Sequence, residues 1–442
     1  MSRTSITLLA AVGALAVAAP AGAANYPPPS KPGTPQAKPK GPFHTYKVCP
    51  KKGKKPKRCF KTIQAAVNKA KPGDTVKVAN GTYNEAINVF GAKKRYVHLI
   101  GNVKSPAKVV LKGTGSMQNG VFVKNANNVT VRGFTATGYH ANGFFVLNAN
   151  GYTLRNLIAT HTGTYGVYAF NTVGGLIADS SASQNNDSGF YIGQTPPQPK
   201  PVRSYVRNVR SFENVLGFSG TNMRYVTITK SLWFNNGVGI VPNALDSEKY
   251  APPEDNVIVD NDVFWNNFDY FQGAPFTVRQ GATGDLAYPV GTGVLLYGGR
   301  GNQVTGNRIW GNYLFGAGMI EAVTLNQPEN KDLKNNSFTG NSYGITGLGA
   351  NKGKDDLNGR DFAYDGNGVN NCVGDGAAFK SPTVPADGST FAACPFTGTN
   401  AFSQDAFNTM IQPAGDSTHE AYWVKNPHQP IAGFTPLEHY TK

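Results

Sequence analysis

Acidic residues are scarce in this sequence and unevenly distributed. Among 442 residues there are 42 lysines and arginines but 26 aspartates and glutamates, so the formal net charge is +16. No acidic residue lies between Glu85 and Asp179, and none lies in the lysine-rich stretch from Lys31 to Lys71. The first gap excludes catalytic carboxylates from that part of the chain. The excess of positive charge favours a polyanionic partner.

Cysteine is also scarce, and no two cysteines have the spacing of a zinc site. The four are Cys49, Cys59, Cys372 and Cys394, and the chain contains no CxxC pair. Each cysteine has one partner nearby in the sequence. We therefore predict two local disulfides, Cys49–Cys59 and Cys372–Cys394, which form in an oxidising compartment.

Long hydrophobic runs are absent after the N-terminus. Residues 1–24 contain a basic residue, Arg3, then an apolar stretch of small residues and an Ala-Gly-Ala site, which is typical of a secretory signal peptide. No later run approaches the roughly 18 apolar residues of a membrane span. We predict a protein secreted to the extracellular space or cell surface, with no transmembrane segment.

A proline- and lysine-rich stretch follows the signal peptide. Residues 25–45 read NYPPPSKPGTPQAKPKGPFHT, a composition typical of an extended, solvated linker. A basic arm of this kind can also adhere to a polyanionic cell wall. Nucleic acid is not the expected partner, because an exported protein rarely meets it.

A short motif recurs through the middle of the chain, with a glycine ahead of each apolar run. The marker positions are Gly120, Gly143, Gly166, Gly189, Gly217, Gly239, Tyr270, Gly293, Phe315 and Gly344. Asparagine recurs three residues before many markers, at Asn186, Asn214, Asn236, Asn267, Asn312 and Asn341. Repeats of this length are too small to bury their own apolar face, so they stack and share a core. The fold class predicted is all-β, a right-handed parallel β-helix of about ten or more coils, with stacked asparagines.

The segment before the repeats has the pattern of a cap. Residues 60–89, FKTIQAAVNKAKPGDTVKVANGTYNEAINV, begin with an amphipathic helix that places Ile63, Val67 and Ala70 on one face. We expect this helix to close the N-terminal end of the core. The capping helix and β-helix together should cover residues 46–350, followed by an irregular C-terminal cap or tail at 351–442.

This opening segment and the repeats resemble the secreted pectate-lyase-like β-helix superfamily, whose repeats are of the PbH1 type. The shared features are Thr-Ile-Gln-x-Ala-Val, Gly-Asp-Thr-Val and Gly-x-Tyr-x-Glu, found here between Thr62 and Glu85. The resemblance implies a carbohydrate-active protein. The superfamily includes lyases, hydrolases, esterases and epimerases, and the chain carries no complete active-site motif of any of them.

Strand alternation places one column of aromatic residues on the outside of the coils. The column begins with Phe122, Phe145, Tyr168 and Tyr191, which are expected to stack at roughly the 4.8 Å spacing of strands. Exposed rings of this kind bind the apolar faces of sugars. A tail, such as residues 351–442, can equally cover them.

A second outward column is predicted on the next strand of each coil. Its members are Arg132, Arg155, Ala178, Arg207, Thr229, Asp260, Thr305 and Lys334. Arginines on one face can bind carboxylates or sulfates in a bidentate manner. Arginines on a solvated β-surface also serve solubility, so both interpretations stay open.

Two further sets of residues are candidates for chemistry. Asp260 and Asp262 flank Asn261 and could supply part of a Ca²⁺ site, or Asp262 could extend an inward polar ladder. His140 and His161 could act as bases, although His140 could instead cap the asparagine ladder.

The predicted function is binding of, or action on, an acidic polysaccharide or cell-wall polymer. If the protein is an enzyme, β-elimination is the expected reaction, with Arg207 neutralising the uronate carboxylate and Lys230 taking the proton. Phe145, Tyr168, Tyr191, Arg132 and Arg155 would bind the substrate. The alternatives are a noncatalytic carbohydrate-binding surface protein and a scaffold whose groove is filled by its own tail. We expect a monomer.

Overall fold

The chain folds almost entirely into short parallel strands. The computed structural model describes residues 36–49, 59–246, 248–268, 288–323, 325, 331, 333–349 and 351–412. The predicted signal peptide, residues 25–35 of the linker, the marker Tyr270 and residues 413–442 lie outside these ranges. Among the described residues, no helix has the length and apolar character needed to cross a membrane.

The strands are numbered in chain order. They are β1 (Thr45–Val48), β2 (Cys59–Phe60), β3 (Thr75–Val78), β4 (Gly81–Tyr83), β5 (Ile87–Phe90), β6 (His98–Ile100), β7 (Val109–Lys112), β8 (Asn119–Lys124), β9 (Val129–Thr137), β10 (Asn142–Leu147), β11 (Asn150–Thr160), β12 (Val167–Phe170), β13 (Val173–Ala178), β14 (Ser181–Ser183), β15 (Ser188–Gly193), β16 (Ser204–Arg207) and β17 (Arg210–Phe212). They continue with β18 (Leu216–Thr221), β19 (Val226–Thr229), β20 (Leu232–Phe234), β21 (Val238–Asn243), β22 (Val257–Val259), β23 (Asp262–Phe264), β24 (Thr292–Tyr297), β25 (Gly299–Arg300), β26 (Gln303–Thr305), β27 (Arg308–Trp310), β28 (Phe315–Ile320), β29 (Leu333–Lys334), β30 (Ser337–Thr339), β31 (Ser342–Tyr343), β32 (Phe362–Tyr364), β33 (Cys372–Val373) and β34 (Thr383–Val384). The α-helices are α1 (Ile63–Lys69) and α2 (Gln404–Ile411), and short 3₁₀ turns occur at Ala92–Lys94, Pro106–Lys108 and Gly376–Ala378.

These strands stack into three long parallel faces. Face 1 is the 11-stranded sheet β5-β8-β10-β12-β15-β18-β21-β24-β28-β32-β34. Face 2 runs β1-β3-β6-β9-β11-β13-β16-β19-β22-β26-β30-β33, and face 3 runs β4-β7-β9-β11-β14-β17-β20-β23-β27-β31. The long strands β9 and β11 bend from face 2 into face 3. Successive coils supply neighbouring strands to all three faces, so the chain is a parallel β-helix, as the sequence predicts.

Two columns of left-handed residues make the sharp corners of the coil. Between faces 2 and 3 the column is Gly133, Asn156, Asp179, Asn208, Lys230, Asp260, Gly306 and Gly340, all with positive φ. Between faces 3 and 1 it is Gly138, His161, Gln184, Glu213, Asn235, Trp265 and Gly311. Glycine, asparagine and aspartate enter this region most readily, which explains their abundance at the turns.

Buried asparagines stack along the helix axis, as predicted. In one ladder Nδ2 of Asn214 donates to Oδ1 of Asn236 at 3.1 Å, and Nδ2 of Asn236 donates to Asn266 at 3.1 Å. The sequence placed Asn186 and Asn267 in this ladder, whereas Asn185 and Asn266 occupy it. Asn341, predicted for the same ladder, belongs to a separate one with Asn261, Asn307 and Asp375.

The register corrects two of the predicted coil markers, Phe315 and Gly344. Val238 pairs directly with Thr292, so β21 and β24 are neighbours in face 1. Thr292 pairs with Phe315, so the residue equivalent to Gly293 is Gly316. Gly344 follows β31 in face 3 and does not belong to face 1. Face 1 also continues past residue 350, through β32 and β34, so the stack is longer than predicted.

The first helix is present where the sequence predicts it. Ile63, Ala66 and Val67 are buried and belong to the main core. The Glu85 carboxylate accepts hydrogen bonds of 3.0 Å from the backbone N–H groups of Ile63 and Gln64. This contact anchors the helix N-terminus to the first coil. Closure of the core by this helix stays a prediction.

Both predicted disulfides are formed. Cys49 bonds to Cys59, with Cα atoms 5.7 Å apart, and Cys372 bonds to Cys394, with Cα atoms 5.0 Å apart. The second disulfide ties β33 to the segment after β34. Disulfides of this kind persist in oxidising compartments, in keeping with an extracellular location.

Candidate functional site

The predicted aromatic column is present on the outside of face 1. Phe122, Phe145, Tyr168 and Tyr191 are register partners on β8, β10, β12 and β15. The ring centroids of Phe122 and Phe145 are 4.7 Å apart, and those of Phe145 and Tyr168 are 4.3 Å apart, with nearly parallel planes. The Tyr191 ring meets that of Tyr168 edge-on at 4.8 Å. Adjacent coils therefore hold the rings in direct contact.

The exposure predicted for this column is wrong. Phe145, Tyr168 and Tyr191 are each at most 5% exposed. Tyr165 lies against both Tyr168 and Tyr191, with centroid distances of 4.6 and 4.8 Å. The N-terminal end of the column is more accessible to solvent. Phe90, which packs edge-on against Phe122, is 45% exposed.

The carboxyl group of Glu248, a half-buried residue, completes this cluster. Tyr191 Oη donates a hydrogen bond of 3.0 Å to Glu248 Oε1, and Asn222 Nδ2 donates one of 3.1 Å to Glu248 Oε2. Burial raises the pKa of Glu248 to about 8, and burial also raises the pKa values of Tyr165 and Tyr191. At neutral pH these groups are mainly protonated, so they can donate protons or hydrogen bonds.

The C-terminal part of face 1 is covered by the end of the chain. Helix α2 contributes Ala406 and Met410 to an apolar cluster with Leu295 and Ala363, which are outside the main core. Residues 351–442 were considered as a cover for the aromatic column, whereas α2, which lies within that segment, packs on the C-terminal part of face 1. Over the aromatic column, the described contacts come instead from Tyr165 and Glu248.

The predicted arginine column is present in the N-terminal coils of face 2. Arg132 pairs with Arg155, Arg155 with Ala178, and Ala178 with Arg207. Further along, Thr229 pairs with Val259, so Asp260 is one residue outside the column. Asp260 lies at the left-handed corner, where a tight turn needs positive φ. Lys334 pairs with Arg300 in a separate two-stranded sheet and is not in the column either.

Arg207 and Lys230 are close neighbours on one exposed surface. Arg207 ends β16, and its register partner Thr229 immediately precedes Lys230 on the next coil. Both side chains are exposed, and neither makes a hydrogen bond or ion pair within the described part of the chain. Arg155 forms an ion pair with Asp179, whose pKa is lowered by hydrogen bonds from Asn208 and Arg155 and by the positive charges of Arg155 and Arg207. We call Arg132, Arg155, Asp179, Arg207 and Lys230 the charged row.

The two aspartates predicted to bind calcium are held by an arginine. Arg308 Nε and Nη2 donate to the two carboxylate oxygens of Asp262 at 2.6 and 2.7 Å, and Nη1 donates to Asp260 Oδ1 at 3.1 Å. No group of three or more histidine, cysteine, aspartate or glutamate residues suited to a metal ion occurs among the described residues. A cation at this position would have to displace the guanidinium group.

The two histidines considered as bases line one pocket. The pocket has a volume of about 290 Å³ and lies where face 3 turns into face 1. It is lined by Gly115, Gly138, Tyr139, His140, His161, Thr162, Gly163, Gln184 and Asn186. Thr160 Oγ1 is 2.8 Å from His161 Nδ1, and partial burial lowers the pKa of His161. An uncharged imidazole can accept a proton or a hydrogen bond at neutral pH.

Sequence reasoning missed two residues of these sites. The sequence patterns singled out neither Glu248 nor Arg308. The available signal for Arg308 was its alignment with Asp262 in the coil repeat, since the two are register partners. No comparable signal linked Glu248 to Tyr191, because 57 positions separate them in the chain.

Comparisons with known proteins give similarities in fold. No family model and no curated protein matches the sequence. Among solved structures, the A-module of mannuronan C-5 epimerase AlgE6 from Azotobacter vinelandii has 18% identity and a TM-score of 0.46, covering 70% of this chain and 92% of its own. Pectate lyase Pel9A has 15% identity and a TM-score of 0.43, covering 82% and 90%. An alginate lyase from Paenibacillus has 14% identity and a TM-score of 0.34, covering 72% and 99%. The strand pairing itself shows that the chain is a parallel β-helix.

Proposed function

We propose that this protein binds an acidic polysaccharide along the charged row and cleaves it by β-elimination. The observation that supports this most directly is the exposed pair of cations formed by Arg207 and Lys230. They lie on adjacent coils and are exposed, and they hold no ion pair within the described residues. Because neither side chain holds an ion pair among the described residues, both remain available to bind the carboxylates of a ligand.

The coil repeat suits a polymer with regularly spaced charges. Arg132, Arg155 and Arg207 occupy the first, second and fourth of four neighbouring strands. Their backbones are therefore separated by multiples of about 4.8 Å along the helix axis. Because Asp179 already engages Arg155, we expect Arg207 and Lys230 to dominate the binding.

In the proposed reaction, Arg207 pairs with the carboxylate of a uronate unit and stabilises the negative charge that develops on it. Lys230 is the proposed acceptor of the C5 proton, a step that requires its side chain in the uncharged form. The C5–H electron pair becomes the C4–C5 double bond while the C4–O bond breaks, and the departing glycosidic oxygen takes a proton from solvent. Asp179 is a poor candidate for the base because its lowered pKa makes it a weak proton acceptor.

The test is the ultraviolet absorbance of unsaturated uronate after incubation with pectate, alginate and glycosaminoglycans. Each polymer is assayed with calcium and with a chelator, since calcium at Asp260 and Asp262 would otherwise neutralise the uronate. Product formation that Arg207→Ala and Lys230→Ala abolish supports the proposal. Equal activity of Lys230→Ala and the parent would exclude Lys230 as the base.

A noncatalytic binding function is the second candidate, and the exposure of the row favours it. Catalytic groups usually lie in sites that exclude water, whereas Arg207 and Lys230 are on an open surface. This alternative expects the protein to be retained on one of the polymers with no unsaturated product. Deletion of residues 25–60 would then weaken retention if the basic arm contributes to adhesion.

A further inference from the structure

The pocket between faces 3 and 1 is a notch formed by three successive coils. His140, Gly163 and Asn186 occupy equivalent places, because the Gly163 N–H donates to the Tyr139 carbonyl and the Asn186 N–H donates to the Thr162 carbonyl one coil away. The middle coil has a glycine, so no side chain separates His140 from Asn186. The absence of a side chain there opens a cavity between the coils.

The backbone requires glycine at the centre of this notch. A Cβ atom at Gly163 would collide with the carbonyl oxygen of His140. The same close approach brings the turn of His140 beside the turn that carries His161. On the flanks, His161 and Gln184 have φ values of 53° and 55° and belong to the left-handed corner column. The corner geometry therefore assembles four polar side chains from three coils.

The lining of the pocket presents both polar and apolar surface, and its residues carry no permanent charge. None of the residues around it is lysine, arginine, aspartate or glutamate. Imidazole, amide and hydroxyl groups supply both donors and acceptors, which match the hydroxyl groups of a sugar. The volume of about 290 Å³ is at the small end of ligand pockets, which span roughly 300–1,000 Å³. The charged row, in contrast, offers arginine and lysine at a different corner of the coil.

We infer that this pocket is a binding subsite for one neutral sugar unit, held by hydrogen bonds with His140, His161, Asn186 and the side-chain oxygen of Gln184, whose amide nitrogen already donates to Glu213. It lies on another corner of the coil from the charged row and does not depend on the function proposed for that row. Partial burial lowers the pKa of His161, so its imidazole is uncharged at neutral pH and suits a neutral ligand.

The first experiment follows the histidine ring signals by NMR in the full-length protein with ¹³C-labelled histidine. Cellohexaose, mannohexaose and xylohexaose are titrated in turn, and hexagalacturonate serves as the charged comparison. The signals of His140 and His161 are assigned with His140→Gln and His161→Asn. We expect saturable shifts of both signals with at least one neutral hexasaccharide. If neither signal moves with any of the three, the inference is overturned.

The second experiment measures binding of the same hexasaccharide by calorimetry. Asn186→Ala removes one hydrogen-bonding amide and is expected to weaken binding at least fivefold, and His140→Gln serves as a second variant at an exposed position. Gln303→Ala, an exposed amide on face 2, is the matched control and should bind like the parent. Unchanged affinity of both pocket variants contradicts the inference.

The two proposals fail in different ways. Loss of polyuronate binding in Arg207→Ala, with sugar-induced shifts of the pocket histidines intact, supports the pocket and the row as separate sites. If the row binds no polymer, the histidine titration still tests the pocket. If the histidines do not respond, polyuronate binding still tests the row.

Discussion

The hydroxyl group of Tyr191 donates a hydrogen bond of 3.0 Å to Glu248, which joins a strand of face 1 to the long segment after β21. Glu248 also accepts a hydrogen bond from Asn222. Both of these hydrogen-bond donors to the Glu248 carboxyl group are neutral, and no cation is bonded to it among the described contacts. Its protonation state is therefore coupled to the stability of the folded protein.

The first prediction concerns Glu248 and pH. Burial raises the folded-state pKa to about 8, whereas an unfolded glutamate titrates near about 4.3. Between these values the folded state binds more protons than the unfolded state, so the contribution of Glu248 to stability falls as pH rises and levels off above about 8. Glu248→Gln should remove this dependence. Its melting temperature should therefore rise relative to the parent between pH 5 and pH 8, as followed by circular dichroism.

Asp405→Asn is the control for this comparison, since Asp405 is exposed on α2. Its melting temperature should follow the parent across the same range. Parallel melting curves of Glu248→Gln and the parent at every pH would show that Glu248 is ionised in the folded state.

The second prediction concerns the charged row. Arg207→Ala and Lys230→Ala should each weaken binding to a polyuronate about fivefold, which corresponds to roughly 1 kcal/mol for an exposed ion pair. Arg155→Ala should have a smaller effect, because Asp179 already binds Arg155. Affinity is measured at several salt concentrations, since salt screens exposed charges. Lys352→Ala, an exposed lysine outside the row, is the control, and an equal loss in that variant would indicate nonspecific attraction.

The third prediction concerns the buried asparagine ladders. Asn307 Nδ2 donates to the carbonyl groups of Ile258 and Thr305 and to Asn341 Oδ1. Asn307→Ala would leave several of these buried groups without partners, which we expect to destabilise the fold by about 2–4 kcal/mol. The exposed Asn68→Ala in α1 should change stability little. Equal melting temperatures of the two variants would mean that the ladder adds no net stability.

The fourth prediction concerns the ion pair of Arg308. Arg308→Ala leaves the buried Asp262 without its bidentate partner and should destabilise the protein by about 1–3 kcal/mol, less than a fully buried pair because Arg308 is partly exposed. Calcium should raise the melting temperature of this variant more than that of the parent, because removal of the guanidinium frees Asp260 and Asp262. An equally large calcium effect on the parent would show that the ion displaces Arg308.

Part of the site followed directly from the coil repeat. The column from Phe122 to Tyr191 has the predicted register, as has the arginine column from Arg132 to Arg207, because parallel strands repeat side-chain orientation from coil to coil. The predicted membership of the second column is wrong where a turn adds one residue to a coil. Asp260 was assigned to a strand position although it occupies the corner, and a shift of one residue changes the direction of a side chain.

The sequence by itself determined the parallel β-helix, the stacking of its asparagines and the two disulfides, because these depend on short-range patterns and on spacing between coils. Only the tertiary structure decided that the aromatic column is buried, that Arg308 binds the two aspartates, and that a notch opens above Gly163. Tyr191 and Glu248 are 57 positions apart, and Arg308 and Asp262 are 46 apart. Contacts over such distances depend on the lengths and paths of the intervening loops, which local periodicity does not specify.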